Sequence, residues 1–316
     1  MNIEYKPFQR SASIQGLRCL AFICIFLHHS GLTGMGSYGP FGVSIFIILS
    51  GTLMSANYLG NRKEAKFGAK FVWTKMKKLY PLHIITMLAM AVYVMYLEDV
   101  KLKSFVCGLL ANIFMAQSYV GQFLPTQAFN GVSWYLAVCV ITYLAFPILL
   151  KILRAYKKHN TAYVAIALSV MCILGISFLT KTFGNEKQQY YFTYNFPPFR
   201  IPEFFIGCNL GYLHVTDSKE KKKNYDFLFI TGIVIALICC YIYDNGFLFL
   251  GQEYFRYTAL FVLPACILIW TILRGGGICQ IPQRTNICAN RKSFRLCLPD
   301  SSSGYLLDEC NCWLMG

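Results

Sequence analysis

Residues 17–29 read Leu17-Arg18-Cys19-Leu20-Ala21-Phe22-Ile23-Cys24-Ile25-Phe26-Leu27-His28-His29, an apolar run with a guanidinium near one end and two imidazoles at the other. An ionisable group inside a membrane span is costly and by default faces the bundle interior or a watery cavity, so this run reads as a functional span. Arg18 and His29 are eleven residues apart, which at about 100° per residue places them on one helix face and about 16 Å apart in height. His28 points about 100° away from that face. The run carries Arg18 and lacks a small-residue cleavage site, so it is predicted to remain as a span and not to be removed as a signal peptide.

The rest of the chain agrees with a membrane fold. Of 316 residues, 56% are hydrophobic, 16% aromatic and 14% charged, with a mean hydropathy of +0.48. Ordinary globular domains carry about a quarter charged residues, and 26 Phe with 21 Tyr exclude a disordered chain. The net charge of +15 comes from basic residues in short runs between apolar segments. That distribution marks the cytoplasmic loops of a membrane protein and argues against a nucleic-acid partner. Most of the 14 Cys sit inside apolar stretches and read as small hydrophobes. Those near the C-terminus fit no zinc spacing, so no metal is expected.

Windows near the 20 residues that cross a bilayer number about nine: 14–32, 40–59, 79–97, 104–120, 132–150, 161–180, 199–215, 226–243 and 254–273. The expected fold is all-α, a polytopic transmembrane helix bundle. Pro147 and Pro264 fall inside two windows, where neighbouring helices can re-satisfy the freed backbone groups. The loop carrying Arg62, Lys63, Lys66, Lys70, Lys75, Lys77 and Lys78 is expected in the cytoplasm, and the N-terminus with it. Lys151, Arg154, Lys157, Lys158 and the Lys219–Lys223 run make the same demand, while Asp244 and Glu253 ask for the other side. A simple count of spans between 79 and 150 cannot satisfy all of these. Either one segment there, 104–120 for example, is re-entrant, or one basic loop breaks the rule.

A face that carries Arg18 and His29 suits a general base acting on a hydroxyl, with the Arg holding an anionic group. The plainer alternative is a snorkelling Arg at one membrane surface and a His pair at the other. Small residues in Gly39-Pro40-Phe41-Gly42-Val43-Ser44 through Ser50-Gly51 predict close helix approach. The cluster Lys75-Met76-Lys77-Lys78-Leu79-Tyr80-Pro81-Leu82-His83 offers a site for donor phosphates, or else only sets topology.

Taken in order, these features resemble the acyltransferase-3 family: Arg18 and His29 ten residues apart in between, Gly-Val-x-x-Phe-x-x-x-Ser-Gly at Gly42–Gly51, and the basic cluster before Tyr80-Pro81. Ser133-Trp134-Tyr135-Leu136 and Arg200-Ile201-Pro202-Glu203-Phe204-Phe205-Ile206-Gly207 resemble two later family segments. The resemblance covers roughly residues 10–275. It implies a ten-span membrane enzyme of the plasma or inner membrane that moves an acyl group, usually acetyl, from acetyl-CoA to a hydroxyl of a cell-surface or lipid-linked glycan. By resemblance His29 is the catalytic base or transient acyl acceptor and Arg18 its partner. Lys75 and Lys78 contact donor phosphates as point charges, and Glu203 and Arg200 are further candidates, with an internal ion pair as their alternative. Ser44 stands where many members carry Asp, and no acidic residue follows Trp134 through Ile141, departures that bear on the acceptor. The rival from another class is a transporter or binding protein in which Arg18 and His29 line a permeation path.

The expected organisation is a transmembrane domain over 1–274 and a polar, disordered tail over 275–316. The run from Cys297 to Trp313 can be encoded so that a neighbouring frame supplies an apolar stretch with one histidine. That is the closing span the family would have, and a shifted reading frame is the reading preferred for the tail.

Overall fold

The computed structural model describes residues 5–8, 11–31, 36–97, 101–120, 129, 131–217, 225–245 and 257–275. The tail from 276 and the reading-frame expectation attached to it lie outside the described residues, as do Glu253 and Lys219–Lys223. Among the described residues every regular element is helical: α1 (Ala12–Ser30), α2 (Tyr38–Gly60), α3 (Ala69–Met76), α4 (Tyr80–Leu97), α5 (Leu102–Ile113), α6 (Gln117–Val120), α7 (Trp134–Arg154), α8 (Asn160–Phe183), α9 (Glu186–Tyr190), α10 (Ile201–Thr216), α11 (Asp226–Asn245) and α12 (Thr258–Leu273). A 3₁₀ turn, Gly131–Ser133, leads into α7, and a π segment, Tyr191–Asn195, with a second 3₁₀ turn, Pro197–Arg200, leads into α10.

The centre of the bundle is the α2–α10 pair, and small residues bring the two backbones together. A Cβ on Gly207 would collide with the Ile48 carbonyl of α2, one on Gly211 with Thr52 and Ser55, and one on Gly51 with the Phe204 carbonyl of α10. Packing at this range replaces the hydrophobic drive that lipid cannot supply. Two buried hydroxyls nearby are satisfied within their own helices, Thr52 donating to the Ile48 carbonyl and Thr142 to the Val138 carbonyl, both at 2.8 Å. Around this pair stand α1, α7, α8 and α12, with α11 on α12. Wide apolar faces of α4, α8 and α11 point outward, including Leu88, Met95, Leu168, Met171, Phe227 and Leu237. Exposed side chains of this kind belong in hydrocarbon, so the chain is a multi-pass membrane bundle.

Five helical stretches are long and apolar enough to cross a bilayer: α1, α2, Gly131–Arg154, α8 and α11. A sixth forms if α3 and α4, bent by 73° at their junction, are taken together. The window 104–120 is not one helix. α5 ends at Ile113, Met115 takes a left-handed φ of 53°, and α6 begins two residues later. The window 199–215 is shortened to the sixteen residues of α10 because Pro197 and Pro198 hold the preceding turn in 3₁₀ geometry.

The short α5 removes the conflict among the basic loops. Arg154 donates to the Lys63 carbonyl at 2.6 Å, the Lys6 amide donates to the Val215 carbonyl at 2.8 Å, and Arg274 pairs with Asp217 at 2.5 Å. The loops after α2 and α7 and the C-terminal end of α10 therefore lie at one end of the bundle, with Arg154 and Arg274 there. Tyr156 belongs to it too, donating to Asn209 at 3.0 Å, and burial pushes its phenol up to about 12. At the opposite end Asp244 of α11 accepts from the Ser37 amide at 2.9 Å and the Ser37 hydroxyl at 2.6 Å, a carboxylate at the positive N-terminus of α2.

Candidate active site

α1 begins at Ser11, whose hydroxyl accepts from the Ile14 amide, and ends at Gly31 with φ 68°. Its last turn presents both histidines, rings 4.9 Å apart and nearly perpendicular, to the same cavity of about 450 Å³. His28 does not point away from the site. Its ring lies over Gly39, where a Cβ would come within 2.5 Å of His28 Cδ2. Gly39 is thus the residue that admits His28 to the wall, a role that becomes visible only once α1 and α2 are placed side by side.

Arg18 lies three turns deeper on α1, half-buried, where its charge acts on the phenols of Tyr135 and Tyr143 of α7. Tyr135 also lines the cavity. Tyr135 therefore links the two, lining the cavity and lying near enough to Arg18 to feel its charge.

The broken end of α5 lies behind the cavity wall and holds two of its polar residues, His83 and Ser133, through a buried network. His83 Nε2 lies 2.9 Å from the Asn112 carbonyl, and Asn112 Nδ2 donates to the Gly108 carbonyl at 2.9 Å. Ser133 Oγ donates to Asn112 Oδ1 at 3.4 Å, and Gln117 Nε2 donates to the Ser133 carbonyl and hydroxyl at 2.8 and 2.9 Å. Because α5 stops short, its terminal carbonyls and the amide side chains beyond them are available for this network. Tyr191 Oη donates to the carbonyls of Ser118 and Tyr119 at 2.7 and 3.1 Å, which fixes the π segment beside α6 and brings Tyr190, Tyr194 and Asn195 into the cavity. Neither His83 nor Asn195 was singled out by spacing. His83 sits inside the cationic cluster of the sequence, and its only signal was an imidazole at the start of a span.

Arg200 and Glu203 lie outside the cavity. Both are fully buried, joined by an Arg200 Nη2–Glu203 Oε2 contact of 2.9 Å. Arg200 Nη1 also donates to the Thr258 hydroxyl, which donates in turn to the Thr193 carbonyl. Ser44 Oγ faces the same carboxylate without completing a well-aligned hydrogen bond. The pair touches the site from behind, since the Arg200 guanidinium lies 5.6 Å from the ring of Tyr194.

The two lysines part company. Lys75 Nζ rests 5.2 Å from the Tyr58 ring and 5.7 Å from the Phe71 ring, whereas Lys78 is exposed at the α3–α4 elbow. Tyr58 and the cavity residue Gly39 lie on one helix nineteen residues apart, about 28 Å. α3, eight residues and about 12 Å long, covers less than half of that interval, and Leu79 just beyond it lines the cavity. The lysines and the histidines are thus separate stations.

A family model described as an acyltransferase domain matches residues 11–289. The acyltransferase MdmB of Streptomyces mycarofaciens is 26% identical over 223 residues, an alignment that takes in 63% of this chain and 56% of that protein. The chain therefore spans less than two thirds of the length of this curated relative. No solved structure matches the chain.

Proposed function

Because the chain belongs to the acyltransferase-3 family, we propose that it is a membrane O-acyltransferase that moves an acetyl group from acetyl-CoA to a hydroxyl of a cell-surface or lipid-linked polysaccharide. The observation that carries this reading is the histidine pair in the cavity wall, on the same helix as Arg18. His29 takes the proton of the acceptor hydroxyl, and the oxygen attacks the thioester carbonyl. The C–S bond breaks, and the proton passes from the imidazolium to the departing CoA thiolate. In the covalent variant the His29 imidazole nitrogen attacks the thioester, the C–S bond breaks and the CoA thiolate leaves with the imidazole proton; the acceptor hydroxyl then attacks the acetyl-imidazole, the C–N bond breaks and the freed imidazole nitrogen takes the hydroxyl proton. Arg18, about 16 Å from His29 along α1, bears on the reaction only through its long-range charge.

Lys78, with Lys75 beside it, meets donor phosphates as point charges at the end of α3. Arg200 and Glu203 act behind Tyr194, holding the π segment against α12. The cationic end, and the N-terminus with it, faces the cytoplasm of a cell membrane, as the gathered Lys and Arg require. The acyl donor then enters from the cytoplasm along α3, and the acceptor meets the histidines near the opposite face.

Reconstituted protein supplied with radiolabelled acetyl-CoA and a glycan acceptor tests this reading. His29→Ala should lower acetyl transfer by about 10²–10⁴-fold. Full transfer without His29 would sink the assignment. Proton or solute flux that needs His29, in a protein that moves no acetyl, would put a transporter in its place.

A further inference from the structure

His83 is 3% exposed and sits in the cavity wall across from the histidine pair. Its Nε2 lies 2.9 Å from the backbone carbonyl of Asn112. A carbonyl only accepts, so Nε2 carries the ring proton, and the neutral imidazole then holds an open lone pair on Nδ1. Nδ1 is buried and has no hydrogen-bond partner among the described residues. The tautomer is therefore set by the end of α5, whose carbonyl takes the one ring proton. Asn195, also 3% exposed, lines the same cavity; its side chain hydrogen-bonds the Tyr190 phenol, and its side-chain oxygen has no partner among the described residues.

Buried acceptors are rarely left unmade, and two in one cavity wall call for a ligand that brings donors. The rest of the lining is mainly aliphatic and aromatic, with the rings of Trp134 and Tyr194 lying 4.7 Å apart. Such walls suit the apolar face of a ring whose edge carries hydroxyls. We infer that His83, in its Nε2-protonated form, receives a hydroxyl hydrogen of the acceptor, and that His83 and Asn195 together form a two-acceptor subsite for a polyol or sugar ring. What then happens to the bound ligand rests on the acyl-transfer reading, whereas the binding does not.

The probe is octyl β-glucoside, a hydroxylated ring on an alkyl chain, added below its micellar concentration to protein in phosphatidylcholine nanodiscs. With ¹⁵N-labelled histidine the chain has five imidazoles to resolve, and His83→Gln or His83→Asn identifies the signal. His83 should appear as the Nε2–H tautomer, and its Nδ1 resonance should move saturably toward the hydrogen-bonded range as glucoside is added. His83→Gln keeps an amide donor for the Asn112 carbonyl but leaves no acceptor at the Nδ1 position, and should weaken glucoside binding roughly tenfold, the worth of one buried hydrogen bond. His83→Asn drops the donor and keeps an acceptor near Nδ1, and should lose less. A purely structural role would reverse that order.

An Nδ1–H tautomer, no saturable glucoside binding, or an Nδ1 signal that stays put while glucoside saturates the protein overturns the inference. So does wild-type affinity in His83→Gln. Where a variant does not fold, the wild-type titration decides. Protein that binds glucoside through His83 yet transfers no acetyl keeps the inference and removes the acyl-transfer reading.

Discussion

The α2–α10 seam and the α4–α5 arm are both membrane helix pairs, yet they are built on opposite principles. At the seam glycines face backbone carbonyls of the partner helix, Gly207 against Ile48 and Gly51 against Phe204. In the arm, α4 turns most of its surface outward, and α5 is twelve residues long and holds its neighbours through polar side chains. The seam leaves no room for a ligand. The arm supplies one wall of the cavity and the open acceptor on His83. The difference teaches that the densest part of this bundle carries the frame, and that chemistry is placed where a helix stops short and its polar groups must find partners elsewhere.

The strongest way to break the comparison is at Arg200. Arg200→Leu leaves Glu203 buried without its cation and should cost about 3–5 kcal/mol, read as a fall in thermal unfolding temperature in detergent. The double variant Arg200→Leu/Glu203→Leu should recover most of that loss. Recovered stability with lost acetyl transfer would move Glu203 from the frame into the reaction.

A matched pair of alanines then sharpens the contrast. Gly207→Ala meets the Ile48 backbone and should destabilise by about 1–3 kcal/mol. Gly108→Ala on α5 meets only the ring of Phe129, which can turn aside, and should cost less. Equal losses at the two positions would show that the arm is packed as rigidly as the seam. The smallest effect is expected at the α2 N-terminus. Asp244→Asn keeps an acceptor for Ser37 but loses the charge at the helix dipole, a change of about 0.3–1 kcal/mol. Its salt dependence, compared with that of the native protein, is the measurement that isolates the charge.

Much of this arrangement was legible in the residues. The spans that became α1, α2, α7, α8 and α11 each carry enough apolar sequence to cross, and the glycines from Gly39 to Gly51 announced close packing that the structure bears out. Arg18 and His29 were placed on one face by spacing alone. The conflict among the basic loops pointed to 104–120 as a segment that need not cross, but the place of its break was not legible, because composition there stays apolar through a turn that depends on the backbone of Met115. His28 was set aside by the same angular argument that selected His29, since spacing describes one helix and Gly39 belongs to another. Spacing also could not separate Lys75 from Lys78. Both are lysines in one cluster, and only the rings of Tyr58 and Phe71 tell them apart.

By itself the sequence determined that this chain is a bundle of membrane helices, and it singled out Arg18 and His29. Crossing a bilayer is a local property: about twenty apolar residues satisfy their own backbone hydrogen bonds wherever they sit in the chain. The tertiary structure alone decided that two histidines share the cavity, that Arg200 and Glu203 stand behind it, and that His83 offers an open lone pair. Each of these depends on a partner distant in the chain: a missing Cβ at Gly39, a hydroxyl at Thr258, a carbonyl at Asn112. A side chain's chemistry is set by what its atoms meet, and no pattern along one helix records what another helix brings.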